Sequence, residues 1–161
     1  MEFIYKGRGI SKFIGEGEAI VSKKPFSFFG GVDPKTGIII DKNHDLYGES
    51  IVGKVFIFPK GKGSTVGSYI IYQLKKNKKH PSAIINKESE PIIAIGCIIA
   101  EIPLVDKLEV DPISNIKNGD YLIVDGINGI VRRIIKNEAM GNDKRSSSWL
   151  CSHIENRKGC Y

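Results

Sequence analysis

Lys54-Val55-Phe56-Ile57-Phe58-Pro59 is followed by Lys60-Gly61-Lys62-Gly63, by a run from Ser64 to about Asn77, and by Ser82-Ala83-Ile84-Ile85-Asn86. The first segment is a short apolar strand stopped by proline, which has no N–H to continue a ladder. The glycines make the next segment a loop. From Ser64 onward Val66, Ile70 and Leu74 repeat every four residues, with Tyr69 and Gln73 beside them, which predicts a helix with one packed face. Ser64 is its expected N-cap. Lys75, Lys76, Lys78 and Lys79 crowd the far end, where the helix dipole favours cations. His80-Pro81 closes the helix, Ser82–Asn86 returns as a strand, and Pro91–Ala100 reads as a mostly buried helix with proline in its first turn. Pro103-Leu104-Val105 then makes a short strand. Strand and helix alternate, and the class is α/β.

The flanks are richer in strands. Lys12–Ser22 sets Phe13, Gly15, Gly17, Ala19 and Val21 on one parity and Ile14, Glu16, Glu18 and Ile20 on the other, a strand despite its weakening glycines. Pro25–Gly31 is an aromatic, glycine-ended segment, and Asp33-Pro34-Lys35-Thr36-Gly37 is a turn. Ile38-Ile39-Ile40 is expected as a short buried strand, followed by polar loops at Asn43-His44-Asp45 and Tyr47-Gly48-Glu49-Ser50. Strands return between Ile113 and Ile135. Lys117-Asn118-Gly119-Asp120 is a turn before Tyr121–Asp125, and Asn128-Gly129 signals a hairpin into Ile130–Ile134. Beyond Lys136 the composition turns polar and aperiodic. The expected organisation is a domain over 1–135 and a tail over 136–161, with Trp149 as the tail's one candidate anchor.

Composition narrows the classes. With 161 residues, 41% of them hydrophobic and 26% charged, one domain with an ordinary core is expected and disorder throughout is excluded. The longest apolar stretch, Pro91–Ile102, is too short to span a bilayer. Met1-Glu2-Phe3-Ile4-Tyr5-Lys6 carries no secretory h-region, so a cytoplasmic location is expected. The net charge of +6 suits anionic partners; with 24 Lys and Arg, of which only five are Arg, bidentate readout is not the theme. Cys97, Cys151 and Cys160 make no metal-ligand spacing, and Cys97 sits inside an isoleucine run as a buried small hydrophobe. His44, His80 and His153 read as surface loop residues, His44 least securely because it falls in a conspicuous loop.

Two loops stand out chemically. Lys60–Ser64 joins a strand to a helix start, where backbone N–H groups and the helix dipole welcome phosphate or carboxylate. It is not a Walker A loop, because Gly63 separates Lys62 from Ser64. The Ser64 hydroxyl, with helix N–H groups and an ammonium such as Lys62 nearby, is placed to take a proton from carbon. An ordinary capping serine would look the same. The second loop couples Gly30-Gly31 to the rigid Asp33-Pro34 turn, where Asp33 could hold a substrate hydroxyl or a lysine, and a cleft shared between the two loops is expected.

Taken in order, Gly30-Gly31-Val32-Asp33-Pro34, Thr36-Gly37, Tyr47-Gly48-Glu49-Ser50-Ile51, Gly53-Lys54, Gly61-Lys62-Gly63-Ser64 and Gly67-Ser68-Tyr69 resemble the small subunit of the aconitase X family. Pro91–Gly96 and Ile98–Pro103 fit the same pattern, and the resemblance covers about residues 10–135. It implies a swivelling β/β/α domain like the mobile domain of aconitase, carried here on a separate chain. It also implies a heterodimer with a large subunit that holds a [4Fe-4S] cluster, this chain binding none alone. Ser64 then falls at the family's proton acceptor, with Lys62, Gly63, Thr65, Gly31 and Asp33 as expected substrate-binding residues. Lys62 stands where relatives carry arginine, which keeps the charge and loses planar pairing. The implied reaction is hydro-lyase chemistry on a small anion: (R)-5-phosphomevalonate to trans-anhydromevalonate 5-phosphate, in an archaeal mevalonate route to isoprenoids. A cis-3-hydroxy-L-proline dehydratase is the alternative within the family. Outside it stand a structural subunit with a silent site and a basic module using Lys75–Lys79 on RNA. No aromatic–basic RNA signature supports that module, so neither nucleic acid nor membrane is an expected partner.

Overall fold

The computed structural model describes residues 2–62 and 64–135. The expected tail 136–161, with Trp149, Cys151, His153 and Cys160, lies outside the described residues. Among the described residues the strands are β1 (Glu2–Lys6), β2 (Arg8–Ser11), β3 (Ile14–Val21), β4 (Val55–Phe58), β5 (Ala83–Asn86), β6 (Leu104–Asp106), β7 (Tyr121–Asp125) and β8 (Ile130–Ile134). They join in the order β1-β8-β7-β3-β4-β5-β6-β2. The helices are a single distorted turn α1 (Phe28–Gly31), then α2 (Val66–Lys76), α3 (Pro91–Ala100) and a second single turn α4 (Pro112–Asn115).

The long strand β3 belongs to two layers. Its first half, Ile14–Glu18, pairs antiparallel with β7, and its last three residues, Ala19–Val21, pair parallel with β4. Every side chain of β4, β5 and β6 is buried, as parallel strands covered on both faces require. On one face Phe56, Phe58, Ile84 and Leu104 pack with Ile71 and Leu74 of α2 and Ile93 and Cys97 of α3. On the other, Val55, Ile57, Ile85 and Val105 pack with Leu122, Val124 and Val131 of the antiparallel layer. The result is the β/β/α architecture that the family resemblance implies.

β1 and β2 are consecutive in sequence yet lie at opposite ends of the strand order, with only Gly7 between them. The sheet therefore curls until its edges meet. Gly7 N–H donates to Gly129 O at 2.7 Å, and a Cβ on Gly9 would fall on the carbonyl oxygen of Gly126. Glycine is what this contact between backbones needs. Neither short strand was individually expected.

Several expectations change. Ile38–Ile40 is no strand: Val32 bridges Ile39 and Ile38 bridges Ser50 as isolated pairs, and only Ile39 is buried. Turns at Gly37 and Gly48, both with positive φ, cut the ladder short. The packed face of α2 is Gly67, Ile71 and Leu74, because α3 crosses there; Val66 is exposed and Ile70 half-buried. At that crossing a Cβ on Gly96 would come within 2.8 Å of Ile71 Cδ1 and 3.1 Å of Ser68 Cα. α3 is less buried than its composition suggests, since Ile95, Ile98 and Ile99 face outward. The turn α4 also interrupts the stretch after Ile113 where strands were expected. No helix among the described residues is long and apolar enough to cross a membrane.

β2 is held to β6 by a bidentate pair: Arg8 Nε donates to Asp106 Oδ1 at 2.9 Å and Nη2 to Oδ2 at 2.8 Å. The Asp106 side chain is fully buried and also accepts from Ser89 N and Oγ, both at 2.8 Å. Burial opposes its ionised form, but the Arg8 and Ser89 donors outweigh that and hold the carboxyl below its ordinary range. Arg8→Ala strips the cation from a buried carboxylate and is expected to lower stability, read as a lower urea midpoint. Urea unfolding of the full chain at neutral pH checks this, with Arg8→Lys retaining part of the loss.

Candidate functional site

The chain leaves β4 at Pro59, whose carbonyl accepts the N–H of Lys87 at 2.9 Å. The loop beyond it is tied down rather than free. Phe26 N–H donates to Lys60 O at 3.1 Å and Lys62 N–H donates to Phe26 O at 2.9 Å, so Phe26 and Gly61 form a parallel bridge. Gly61 is required by a close approach: a Cβ there would lie 2.6 Å from both Glu90 Oε1 and Ile93 Cγ1. The N-terminus of α3 thus abuts the loop that opens α2.

These two helix starts differ. Glu90 caps α3 itself, accepting from Ile93 N at 2.8 Å and Ile92 N at 3.2 Å. The α2 start has no such carboxylate. Thr65, not Ser64, occupies its N-cap position, already in helical conformation and with no side-chain cap bond. The half-buried Ser64 instead accepts the Val66 N–H on Oγ at 3.3 Å, a local serine turn. That donor and the helix dipole both favour negative charge on the hydroxyl oxygen.

His44 is a correction to the expectation of a surface residue: it is only 7% exposed. Nδ1 accepts the Leu46 N–H at 3.1 Å, which leaves the imidazole proton on Nε2 to donate to Ser22 Oγ at 3.0 Å. Ser22 Oγ donates to Asp45 Oδ1 at 2.8 Å, and Asp45 Oδ2 accepts the Lys23 N–H at 2.9 Å. Burial lowers the His44 pKa despite Asp45 and Asp41 nearby, so the ring is neutral. The Asp45 carboxyl is held low, its own partial burial being outweighed by the Lys23 and Ser22 donors. The ring also packs edge-on against Phe26, with centroids 5.2 Å apart. Ser22 and His44 lie 22 residues apart in sequence, so no local pattern announces the bond.

His44 forms part of the floor of an open cleft of ≈ 550 Å³ whose walls include Lys24, Asp41, Lys60 and Lys62. Of the expected substrate-binding residues, Lys62 lines this cleft, Thr65 is exposed at the start of α2, and Gly63 lies outside the described residues. Gly31 reaches the same neighbourhood through Phe26, whose ring would stand 2.9 Å from a Cβ there. Asp33 does not: its Oδ1 accepts the Lys35 N–H at 2.9 Å, and the adjacent Pro34 O accepts from Asn77 Nδ2 at 2.8 Å. Asn77 caps the far end of α2, which at 1.5 Å per residue is about 16 Å from its start. The Lys60–Lys62 loop therefore shares its cleft with residues 41–44, rather than with the Asp33 turn.

A family model of the aconitase X swivel domain matches residues 4–133. This chain belongs to that family. A Methanosarcina mazei relative named phosphomevalonate dehydratase small subunit is 55% identical over 83% of this chain and 93% of its own length. A relative of the same name from Methanocaldococcus jannaschii is 58% identical over 81% and 98%. Among solved structures, aconitase X of Thermococcus kodakaraensis in its holo form superposes with a TM-score of 0.79 at 52% identity, covering 83% of this chain and 99% of that one. In this swivel domain the described residues hold no group of three or more His, Cys, Asp or Glu that could bind a metal ion. Cys97 is sealed under α3, where burial pushes its thiol up, out of reach of the thiolate that a cluster needs. The donors described here do not fit an iron–sulfur cluster.

The neutral His44 makes stability depend on pH. The unfolded ring titrates near its ordinary value of 6.5, whereas the folded ring stays neutral to lower pH. The unfolded state thus binds more protons as pH falls, so this stabilisation is full above 6.5 and is lost as pH drops through the folded value. Half-buried His80, also lowered by burial and by Lys75, adds to the same window. Urea midpoints measured between neutral and mildly acid pH are expected to fall less steeply in His44→Gln than in wild type.

Proposed function

We propose that this chain is the small subunit of a heteromeric hydro-lyase that dehydrates (R)-5-phosphomevalonate to trans-anhydromevalonate 5-phosphate, and that Ser64 is its base. The observation that carries the reading is the Ser64 hydroxyl itself. It stands half-buried at a helix start that has no acidic cap, accepts a backbone N–H, and follows two residues after a cleft lined with lysines. The names borne by relatives at 55% and 58% identity support the substrate.

In this reading a proton leaves the carbon beside the substrate carboxylate for Ser64 Oγ. The C–H electron pair becomes the new double bond, and the hydroxyl on the neighbouring carbon departs with its bonding pair, taking a proton from solvent or from an acid on the large subunit to leave as water. Ser64 then returns its acquired proton to solvent, so the net change is loss of one H2O. Ser64 must act as an alkoxide, which the Val66 N–H and the α2 dipole both favour. Water must be kept from that alkoxide, and this is the part of a second chain closing over the loop. The large subunit supplies that roof and, by family resemblance, the cluster; no ligand for it comes from the residues described here.

Co-expression with the large subunit, anaerobic cluster reconstitution and an assay on phosphomevalonate test the reading. Activity is expected only with both chains. Ser64→Ala is expected to assemble and to lose at least roughly a hundredfold in kcat, the scale of a missing general base. Full activity in Ser64→Ala removes the base assignment.

A further inference from the structure

We propose that the cleft between Lys24, Lys60 and Lys62 seats a phosphate monoester, the phosphoryl end of a substrate whose carbon chain reaches Ser64. The inference rests on the dehydratase reading above and adds the part of the site that selects a phosphorylated acid. The cleft has the size of a small-molecule site and is open on one side.

Its charge is assembled from two distant segments. The Phe26 bridge to Gly61 lays Lys24-Pro25 alongside Lys60-Gly61-Lys62, and Lys24 Nζ donates to Asn43 O at 3.1 Å, which holds the ammonium over the opening. None of the three lysines pairs with an acid among the described residues. Juxtaposed like charges repel, and an anion between them relieves the repulsion. Asp41 is the one carboxylate on the wall, and its Oδ1 is occupied by the Asn43 N–H at 2.9 Å. His44 adds no charge, because both ring nitrogens are already bonded. Three ammonium groups against one carboxylate leave a surplus of two positive charges, which matches a phosphate monoester at about −1.5 to −2 near neutrality.

Position completes the case. Ser64 follows Lys62 by two residues, so their Cα atoms are at most about 7 Å apart. A phosphate held at Lys60–Lys62 therefore lies within the length of a short carbon chain from the hydroxyl. Binding energy from this non-reacting end can then orient the carbon that loses its proton. Lysine suits the task, since a phosphoryl group can be held by point charges without planar pairing.

The test uses the assembled two-chain enzyme carrying Lys24→Gln and Lys60→Gln together, with Lys76→Gln, on the exposed side of α2, as a control. These lysines are exposed, so the variant is expected to fold, with a thermal melt matching wild type as the check. The double variant is expected to raise KM for phosphomevalonate about tenfold with kcat little changed, the pattern of lost uniform binding. Inorganic phosphate is expected to compete with substrate in wild type and to inhibit the double variant about tenfold more weakly. Titration of the full chain with inorganic phosphate is expected to shift the amide resonances of Lys60–Lys62 and His44 in wild type and not in the double variant. A wild-type KM and phosphate inhibition in the double variant, non-competitive inhibition, or absence of those shifts in wild type each overturn the subsite and leave the Ser64 base standing. Phosphate shifts at these residues in a wild-type enzyme that does not turn over phosphomevalonate keep the subsite and overturn the dehydratase reading instead.

Discussion

Val55–Phe58 is buried at all four side chains, and a strand apolar on both faces exists only between two covering layers. Much of the fold answers that requirement. Phe56 and Phe58 face α2 and α3, while Val55 and Ile57 face the antiparallel strands. The second layer must come from the same chain, and β3 provides it by pairing with β7 along its first half and β4 along its second. The closing contact between Gly7–Gly9 and Gly126–Gly129 completes the curl, and the Arg8–Asp106 pair fastens the last strand to it.

The candidate site is a by-product of the same geometry. β4 ends where both helices begin, so a loop leaving it at Pro59 emerges at the positive ends of α2 and α3 together. One of those ends is closed by Glu90 and the other is left with hydroxyls. That asymmetry decides where an anion and a base can act. Phe26 links the parts: its backbone holds Lys60 and Lys62, its ring backs Gly31, and His44 packs on its edge. The neutral, fully bonded His44 network stiffens the floor of the lysine cleft without adding charge to it.

Most of the central architecture was legible. Lys54–Pro59, Ser82–Asn86 and Pro91–Ala100 announce their elements because apolar runs, prolines and lengths act locally. The turn before Tyr121 and the Asn128-Gly129 hairpin are equally local, and both are present. Local pattern misleads where a distant partner chooses among local options. Val66, Ile70 and Leu74 make a plausible stripe, but the crossing of α3 at Gly96 selects Gly67, Ile71 and Leu74. Ile38–Ile40 has the composition of a strand, yet it finds isolated bridges and no continuous ladder to extend. His44 looks like any loop histidine until Ser22 is brought beneath it.

The sequence alone determined the α/β class, the family and the glycine-rich loop with Ser64, because each is written in neighbouring residues whose spacing is fixed by the backbone. Only the tertiary structure decided that Lys24 stands beside Lys60 and Lys62, that Asp33 belongs to the far end of α2, and that His44 is buried and neutral. Those outcomes depend on which segments pack together, and the energy of such contacts comes from burial and bonding between residues far apart in the chain.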